Sequence, residues 1–398
     1  MTVLHVACLP FPTYQGTQAA LGSMLRASSE LGRRVHLLTY ARGAYELEAP
    51  YPIDRVPNFP KVHSLRSGPS PGKLALDARC IGEIRRLAAR LRPEAVVAHH
   101  IEAALASLAA NMGPVYYVAH TSLERELPMY FPRLLESPMA ATARKVEARV
   151  CRLAAGVAAV SPSLSTLLGK SATYLPVPWR RSIGAAMTPG DARKTLGLPT
   201  TGPLCLYAGN LDPYQGWEDL IDALVALRGR HLSARLLIAT ESDPVPARLA
   251  AIRAGLGNAV DFRRLAGERA RRLAHAAADF TWVPRRAVGG LPIKMLDAFS
   301  RGLPVVATER ATAGLPIDKV CVCVRNDDPR ALAKAAHQVL IDKALADQLR
   351  SAGLDYLDRH HRAARFDAAM QRLLGRPSRR LSARDAPPRS IGLAHPAR

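Results

Sequence analysis

Short, continuous apolar runs recur along this chain, and helical periodicity follows almost every one. In the first half they read VLHVACLP, RVHLLTY, AVVAHH, VYYVAH, GVAAVS and ATYLPV. Between them, QAALGSMLRASSELG, LALDARCIGEIRRLAARL, IEAALASLAANM and ARKVEARVCRLAA carry apolar residues at helical spacing. A strand that is apolar at every position, rather than at every second one, is covered on both faces, as in a parallel sheet. Strand and helix in alternation then require a doubly wound α/β layer. The series breaks at PVPWRRSIGAAMTPGDARKTLGLPTTGP, whose Pro and Gly predict a linker with one short helix. It resumes with LCLYAG, ARLLIAT, AVDFRRL, DFTWVP, PVVAT and VCVCV. The expected fold class is α/β, with two tandem Rossmann-like doubly wound domains, residues 1–180 and 181–375, and a tail over 376–398. A length of 398 residues agrees, because single cores stop growing near about 250–300 residues. Ligands of such sheets bind at the carboxyl ends of the strands, so two sheets facing each other enclose a cleft.

Charge narrows the partners. Lys and Arg number 55 against 33 Asp and Glu, formally +22. Such a surface attracts nucleic acid, anionic lipid or phosphorylated small molecules. Arginine enrichment from GC-rich DNA is an equally available source of the excess. No nucleic-acid-binding motif accompanies the charge, so nucleic acid is the least favoured partner. The tail GRPSRRLSARDAPPRSIGLAHPAR, with Arg376, Arg379, Arg380, Arg384 and Arg389, lacks apolar periodicity and reads as disordered and basic. We expect it to favour an anionic membrane surface. No run of about 18 apolar residues predicts a membrane-crossing helix. The start, MTVLHVACLPFP, reads as a first buried strand and not as a signal peptide. Six scattered cysteines show neither metal spacing nor a disulfide framework, so a reduced, cytoplasmic protein is expected.

Five segments carry candidate chemistry. In LPFPTYQGTQAALGSML a strand ends at Leu9, and Gly16 precedes a helix expected to start near Thr17 or Gln18. Glycine lets backbone approach a ligand, and a helix N-terminus offers free N–H groups. An ordinary strand-to-helix turn has the same appearance. In VVAHHIEAA and YYVAHTSLE, residues His99, His100, Glu102, His120 and Thr121 crowd two strand ends. Their spacing suits no single helix face for a metal, and hydrogen bonding to a hydroxyl-rich ligand is the better reading. In GGLPIKMLDAFSRGLPVVAT, Gly289 and Gly290 precede a helix expected to open near Pro292 and run to Arg301, with Gly302 as its cap. Lys294 and Asp297 are three apart and so near neighbours on that helix, which on spacing alone equally describes a solvated surface pair. Lastly, YAGNLDPYQGW turns from strand to helix through Gly209, a place where backbone N–H groups hold phosphates. Asn210 and Gln215 stand there where a cation is expected.

These segments together resemble the family 4 retaining glycosyltransferases, over about residues 1 to 375. PFPTYQGTQAAL, AHT, YAGNLDPYQG and, most specifically, LPIKMLDAFSRGLPVVAT carry the resemblance. It implies the two-domain glycosyltransferase-B fold, with a nucleotide-diphosphate sugar held mainly by the second domain and an acceptor mainly by the first. It also implies a last helix, RFDAAMQRLL, that crosses back. By position, Asp297 falls on the family's ribose-binding second glutamate, and Gly289 on its first. Gly209 falls in the diphosphate turn, His120 on the sugar-contacting histidine and Gly16 on the phosphate-side glycine. The implied activity is hexosyl transfer to a hydroxyl with retention, without metal or cofactor, in polysaccharide or glycolipid biosynthesis. A lipid-linked or envelope glycan acceptor follows, reached from the inner membrane face. We expect Arg285, Arg286 or Lys294 to supply the missing cations. The candidate donor set is Gly16, Gly209, Asn210, Gln215, Arg285, Arg286, Gly290, Leu291, Lys294 and Asp297, with His120 the catalytic candidate. A nucleotide-sugar epimerase of the same fold and a catalytically idle nucleotide-sugar-binding protein are the alternatives.

Overall fold

The computed structural model describes residues 1–13, 15–41, 43, 48–58, 68–182, 187–265, 267–287, 290–317 and 319–375. Gly289 and the basic tail, with its membrane and disorder expectations, lie outside the described residues.

Two all-parallel sheets organise the chain. The first holds β1 (Thr2–Ala7), β2 (Arg34–Tyr40), β3 (Ile53–Val56), β4 (Ala95–His99), β5 (Val115–Ala119), β6 (Gly156–Ala159) and β7 (Thr173–Tyr174). Their spatial order is β3-β2-β1-β4-β5-β6-β7. The second holds β8 (Leu204–Ala208), β9 (Arg235–Thr240), β10 (Val260–Arg264), β11 (Phe280–Val283), β12 (Val305–Thr308) and β13 (Val322–Val324), in the order β10-β9-β8-β11-β12-β13. Each of the twelve apolar runs forms a strand. β3 lacks such a run because IDRV buries only Val56, as befits an edge strand with one neighbour. The linker helix is Pro189–Thr195, and the Thr188 side chain accepts from the Asp191 N–H to cap it.

Central strands are sealed on both faces: every residue of β4, β8 and β11 is buried. One apolar cluster spans the two sheets through Met24, Ile293, Phe299, Tyr356, Phe366, Met370 and Leu373. The last helix, Ala363–Leu374, returns to the first sheet and packs on β6 and β7. Arg33 pairs with Asp367 on that helix, and Leu373 presses against Gly156 at the start of β6. The His361 Nδ1–H donates to the Val177 carbonyl at 2.7 Å and ties the same crossing down. The two strand orders reverse at β1/β4 and at β8/β11, which makes these the ligand-binding switch points of their sheets.

Candidate active site

A cavity of about 460 Å³ lies between the switch points and is lined from both domains. On the first-domain wall, the helix Gly16–Glu30 begins at the cavity, with Gln15, Gly16, Thr17 and Gln18 at its mouth. A Cβ on Gly16 would meet Ile293 at 3.7 Å, an ordinary contact, so sterics alone do not require glycine there. After β4, His100 adopts φ +71°, a left-handed conformation uncommon outside glycine. Its Nε2 lies 3.1 Å from Thr17 Oγ1. Lys73 pairs with Glu102 at 3.2 Å, and the Tyr40 hydroxyl donates to Asp77. All four line the cavity. Burial, with the charge of Glu102 adding, raises the Asp77 carboxyl above the usual carboxylate range.

His120 follows β5 and lines the cavity. Its Nε2 lies 3.0 Å from His99 Nδ1, and its ring stacks on His100 with centroids 5.2 Å apart. Burial pulls the His120 and His99 imidazoles well below the usual histidine range, and neighbouring histidines add to the effect. Both rings are therefore neutral near pH 7.

The second-domain wall is cationic. Gly209, at φ +153°, ends β8, and a Cβ there would meet Lys294 Nζ at 3.1 Å. The Lys294 ammonium lies across this turn, 4.1 Å above the Tyr207 ring, and donates to Gln215 Oε1 at 2.8 Å. Arg285 sits 5.6 Å from the Tyr214 ring, with its Nε sealed and, among the described residues, without a hydrogen-bond partner. Burial, and then the charge of Arg285, pulls Lys294 well below the usual lysine range. Among the described residues neither cation has a carboxylate within salt-bridge distance. Gly290 is required by contact: at φ +74°, a Cβ there would lie 2.5 Å from the His120 carbonyl oxygen, where the two walls touch.

Of the expected site residues, His120, Gly16, Gly209, Asn210, Gln215, Arg285, Leu291, Lys294 and Asp297 line this cavity. Gly290 backs it. Arg286 turns away to Asp219 at 3.0 Å and Glu218 at 3.4 Å. The Asn210 amide donates to Asp212 and, at 3.5 Å, to the Tyr214 hydroxyl. Lys294 and Asp297 share a helix, Ile293–Ser300, but do not pair. Asp297 Oδ2 accepts from Arg271 at 2.8 Å and faces His275 Nε2 at 3.3 Å, while Oδ1 accepts from Arg301 at 3.3 Å. Burial opposes its ionisation, yet Arg271, His275 and Arg301 hold the carboxyl well below the usual range. The ribose role implied for Asp297 thus meets a carboxylate whose two oxygens are already engaged. Arg271 and His275 both line the cavity beside it and were not anticipated. They stand four apart in GERARRLAHAA, so helical spacing alone places them on one face. Among the described residues no three His, Cys, Asp or Glu side chains gather as metal ligands, and no helix is long and apolar enough to cross a membrane.

Comparison with known proteins follows the same division. The family described as Glycosyltransferase Family 4 matches residues 14–173, and that described as Glycosyl transferases group 1 matches residues 202–342. No curated protein matches the chain. Among solved structures, sucrose-phosphate synthase from Thermosynechococcus elongatus is similar at 18% identity and a TM-score of 0.75, covering 93% of this chain and 97% of its own. HepE of Anabaena, solved in complex with UDP-glucose, is similar at 17% identity and a TM-score of 0.74, covering 94% of this chain and 100% of its own. WaaG, a glycosyltransferase involved in lipopolysaccharide biosynthesis, is similar at 16% identity and a TM-score of 0.66, covering 94% of this chain and 100% of its own.

Proposed function

We propose, on the premise that this chain belongs to the glycosyltransferases of family 4 and has their two-domain glycosyltransferase-B fold, that it moves a sugar from a nucleotide-diphosphate sugar to an acceptor hydroxyl. One observation carries the reading. Two buried basic side chains, Arg285 and Lys294, flank a glycine turn at a switch point, and among the described residues neither has a carboxylate within salt-bridge distance. A buried cation that lacks an internal partner is costly, and an external dianion relieves the cost. A diphosphate beside Gly209 meets both, with N–H groups of the helix Gly16–Glu30 across the cavity. HepE, with UDP-glucose in its solved complex, supports this choice of donor chemistry.

The geometry then does most of its work by positioning and by stabilising negative charge as the diphosphate leaves. Lys294 and Arg285 are already dry and oriented, so little reorganisation is needed at that moment. Neutral His120 reaches the sugar by hydrogen bond. The first-domain wall, with Lys73, Glu102, Asp77 and Tyr40, offers donors and acceptors to acceptor hydroxyls. We assign retention, with the acceptor hydroxyl attacking on the face the diphosphate leaves. We also assign metal independence, with Lys294 and Arg285 taking the charge that a divalent ion would otherwise balance. An epimerase needs no acceptor region, and this polar wall favours the transferase over it.

The acceptor we propose is a membrane-borne glycan or glycolipid. Next to the cavity segment Leu127–Tyr130, Leu134 is 94% exposed, and the following helix, Glu136–Leu153, exposes Arg144, Lys145, Arg149 and Arg152. A leucine amid such a basic face suits an anionic bilayer, to which each basic residue contributes about 1 kcal/mol. Vesicle sedimentation tests this: binding to anionic but not neutral vesicles, lost as salt rises, supports it, and equal partition overturns it. For the reaction, UDP-glucose and other nucleotide sugars are incubated with and without a glycolipid extract. Acceptor-dependent release of the nucleoside diphosphate with the anomeric configuration kept is expected. Isomerised sugar without acceptor, or no nucleotide-sugar binding at all, overturns the assignment.

A further inference from the structure

Three histidines cross the first sheet from its interior to the cavity. Strand register puts them on one face. Ala7 of β1 pairs with His99 of β4, and His99 pairs with Val118 of β5. His5 is two residues before Ala7, and His120 is two residues after Val118, so all three side chains leave the same side of the sheet. His5 Nδ1 lies 3.0 Å from His99 Nε2, and His99 Nδ1 lies 3.0 Å from His120 Nε2. Apolar side chains would fill this space without the desolvation cost that imidazoles carry. His5 and His99 are each 1% exposed, out of reach of any ligand, so what they do they do through His120.

The far end decides the direction of the protons. His5 Nε2 is sealed in the interior and has no partner among the described residues. An orphaned buried N–H is rarer and costlier than an unused acceptor, so the single proton of a neutral His5 sits on Nδ1. It donates to His99 Nε2, which leaves the His99 proton on Nδ1. That proton is donated to His120 Nε2, which leaves the His120 proton on its own Nδ1. His120 lines the cavity, so this end of the chain is the one a ligand can meet.

We propose that His5 and His99 are positioning residues that order the protons along this chain, so that His120 faces the bound sugar as an Nδ1–H donor. This rests on the glycosyltransferase reading for its ligand, but the proton order does not. Burial keeps the chain neutral: the His5 pKa is pulled down to about 3 by desolvation, with Arg33 adding. The groups facing the chain are Arg33 at the His5 end, and His100 with its neighbour Glu102 at the cavity end. A fixed donor selects a sugar with an oxygen at that point, because an acceptor-less analogue leaves a buried N–H unpaired.

The test is long-range proton–nitrogen NMR on the full chain labelled at histidine, with His120→Gln to assign its ring. His120 is expected as Nδ1–H with a bare Nε2, unchanged between about pH 6 and 8, where an ordinary histidine titrates. His120 found as Nε2–H, or titrating there, overturns the proposal. His99→Phe removes the donor, while His99→Asn keeps an N–H near the position of Nδ1. The Phe variant should lose the His120 order and bind UDP-glucose about tenfold more weakly, with UDP binding unchanged. The Asn variant should recover most of both. A His120 tautomer indifferent to His99→Phe overturns the proposal. Ordered tautomers in a protein that binds no nucleotide sugar support the proton order and reject the ligand reading instead.

Discussion

The two walls of the cavity handle charge in opposite ways. On the first-domain wall, charge is balanced internally: Lys73 has Glu102, Asp77 has the Tyr40 hydroxyl, and the histidines fold neutral. On the second-domain wall, Arg285 and Lys294 are buried against aromatic rings without a carboxylate, while Asp297 nearby is crowded by Arg271, His275 and Arg301. The difference teaches that the second wall leaves its basic groups without carboxylates among the described residues, whereas the first pairs or neutralises its own. That division suits a charged donor on one side and a hydroxyl-bearing acceptor on the other.

The largest expected effect tests the neutrality of the first wall. His5, His99 and His120 have folded pKa values below their unfolded value of about 6.5, so the unfolded chain binds more protons as pH falls. Their stabilising contribution is present above that value and is lost progressively as pH drops toward the folded pKa values. Between about pH 7.5 and 5 His5 by itself should remove about 2 kcal/mol of stability, and His99 and His120 add to the loss in the same direction. Urea denaturation at the two pH values measures it. A flat profile would mean that the imidazoles carry charge when folded, and the contrast between the walls would collapse.

Next comes Asp297→Ala, which removes the buried carboxylate from Arg271 and Arg301, leaves them the half-exposed Glu268, and should cost about 3 kcal/mol of folding stability. Asp297→Asn should cost less, since it keeps an acceptor. If the Ala variant is as stable as the parent but loses nucleotide affinity, the carboxylate serves a ligand and not its neighbours.

Lys294→Met sharpens the comparison, because folding and function should move apart. Among the described residues Lys294 has Gln215 and the Tyr207 ring as partners but no carboxylate, so its removal should cost little stability. Loss of one preorganised donor to the leaving diphosphate should lower kcat about 100-fold. Steady-state transfer and a melting curve on the same sample decide it. A large loss of stability would show that Lys294 is structural.

The smallest effect is expected at Arg286→Ala. This guanidinium is 37% exposed and engaged by Asp219 and Glu218. Its loss should cost roughly 0.5 kcal/mol and leave donor binding within about twofold. Calorimetry with UDP checks it, and a tenfold weakening would return Arg286 to the cavity wall.

Strands were the most legible level. Where a run such as LCLYA is apolar throughout, burial on both faces forces it into a central parallel strand. IDRV escaped because an edge strand buries too little to leave that pattern. At the site, the glycine turns and the histidines at strand ends stood out, since Gly and His are conspicuous where an apolar run stops. His5 did not, because it lies inside such a run and resembles a core position. The Lys294–Asp297 spacing misled for a different reason. Three residues turn a helix far enough that one side chain reaches Gln215 after β8 and the other reaches the helix Gly267–Ala277.

By itself the sequence determined the α/β class, the two tandem sheets and the places where chain turns could meet a ligand. These follow from local periodicity and from backbone freedom at glycine, which neighbouring residues alone set. Only the tertiary structure decided which charges are paired. Pairing depends on groups brought together from distant strands: Lys73 with Glu102, Asp297 with Arg271, His5 with His99 and His120. Coulomb energy and desolvation depend on separation and burial in space, and sequence distance carries neither.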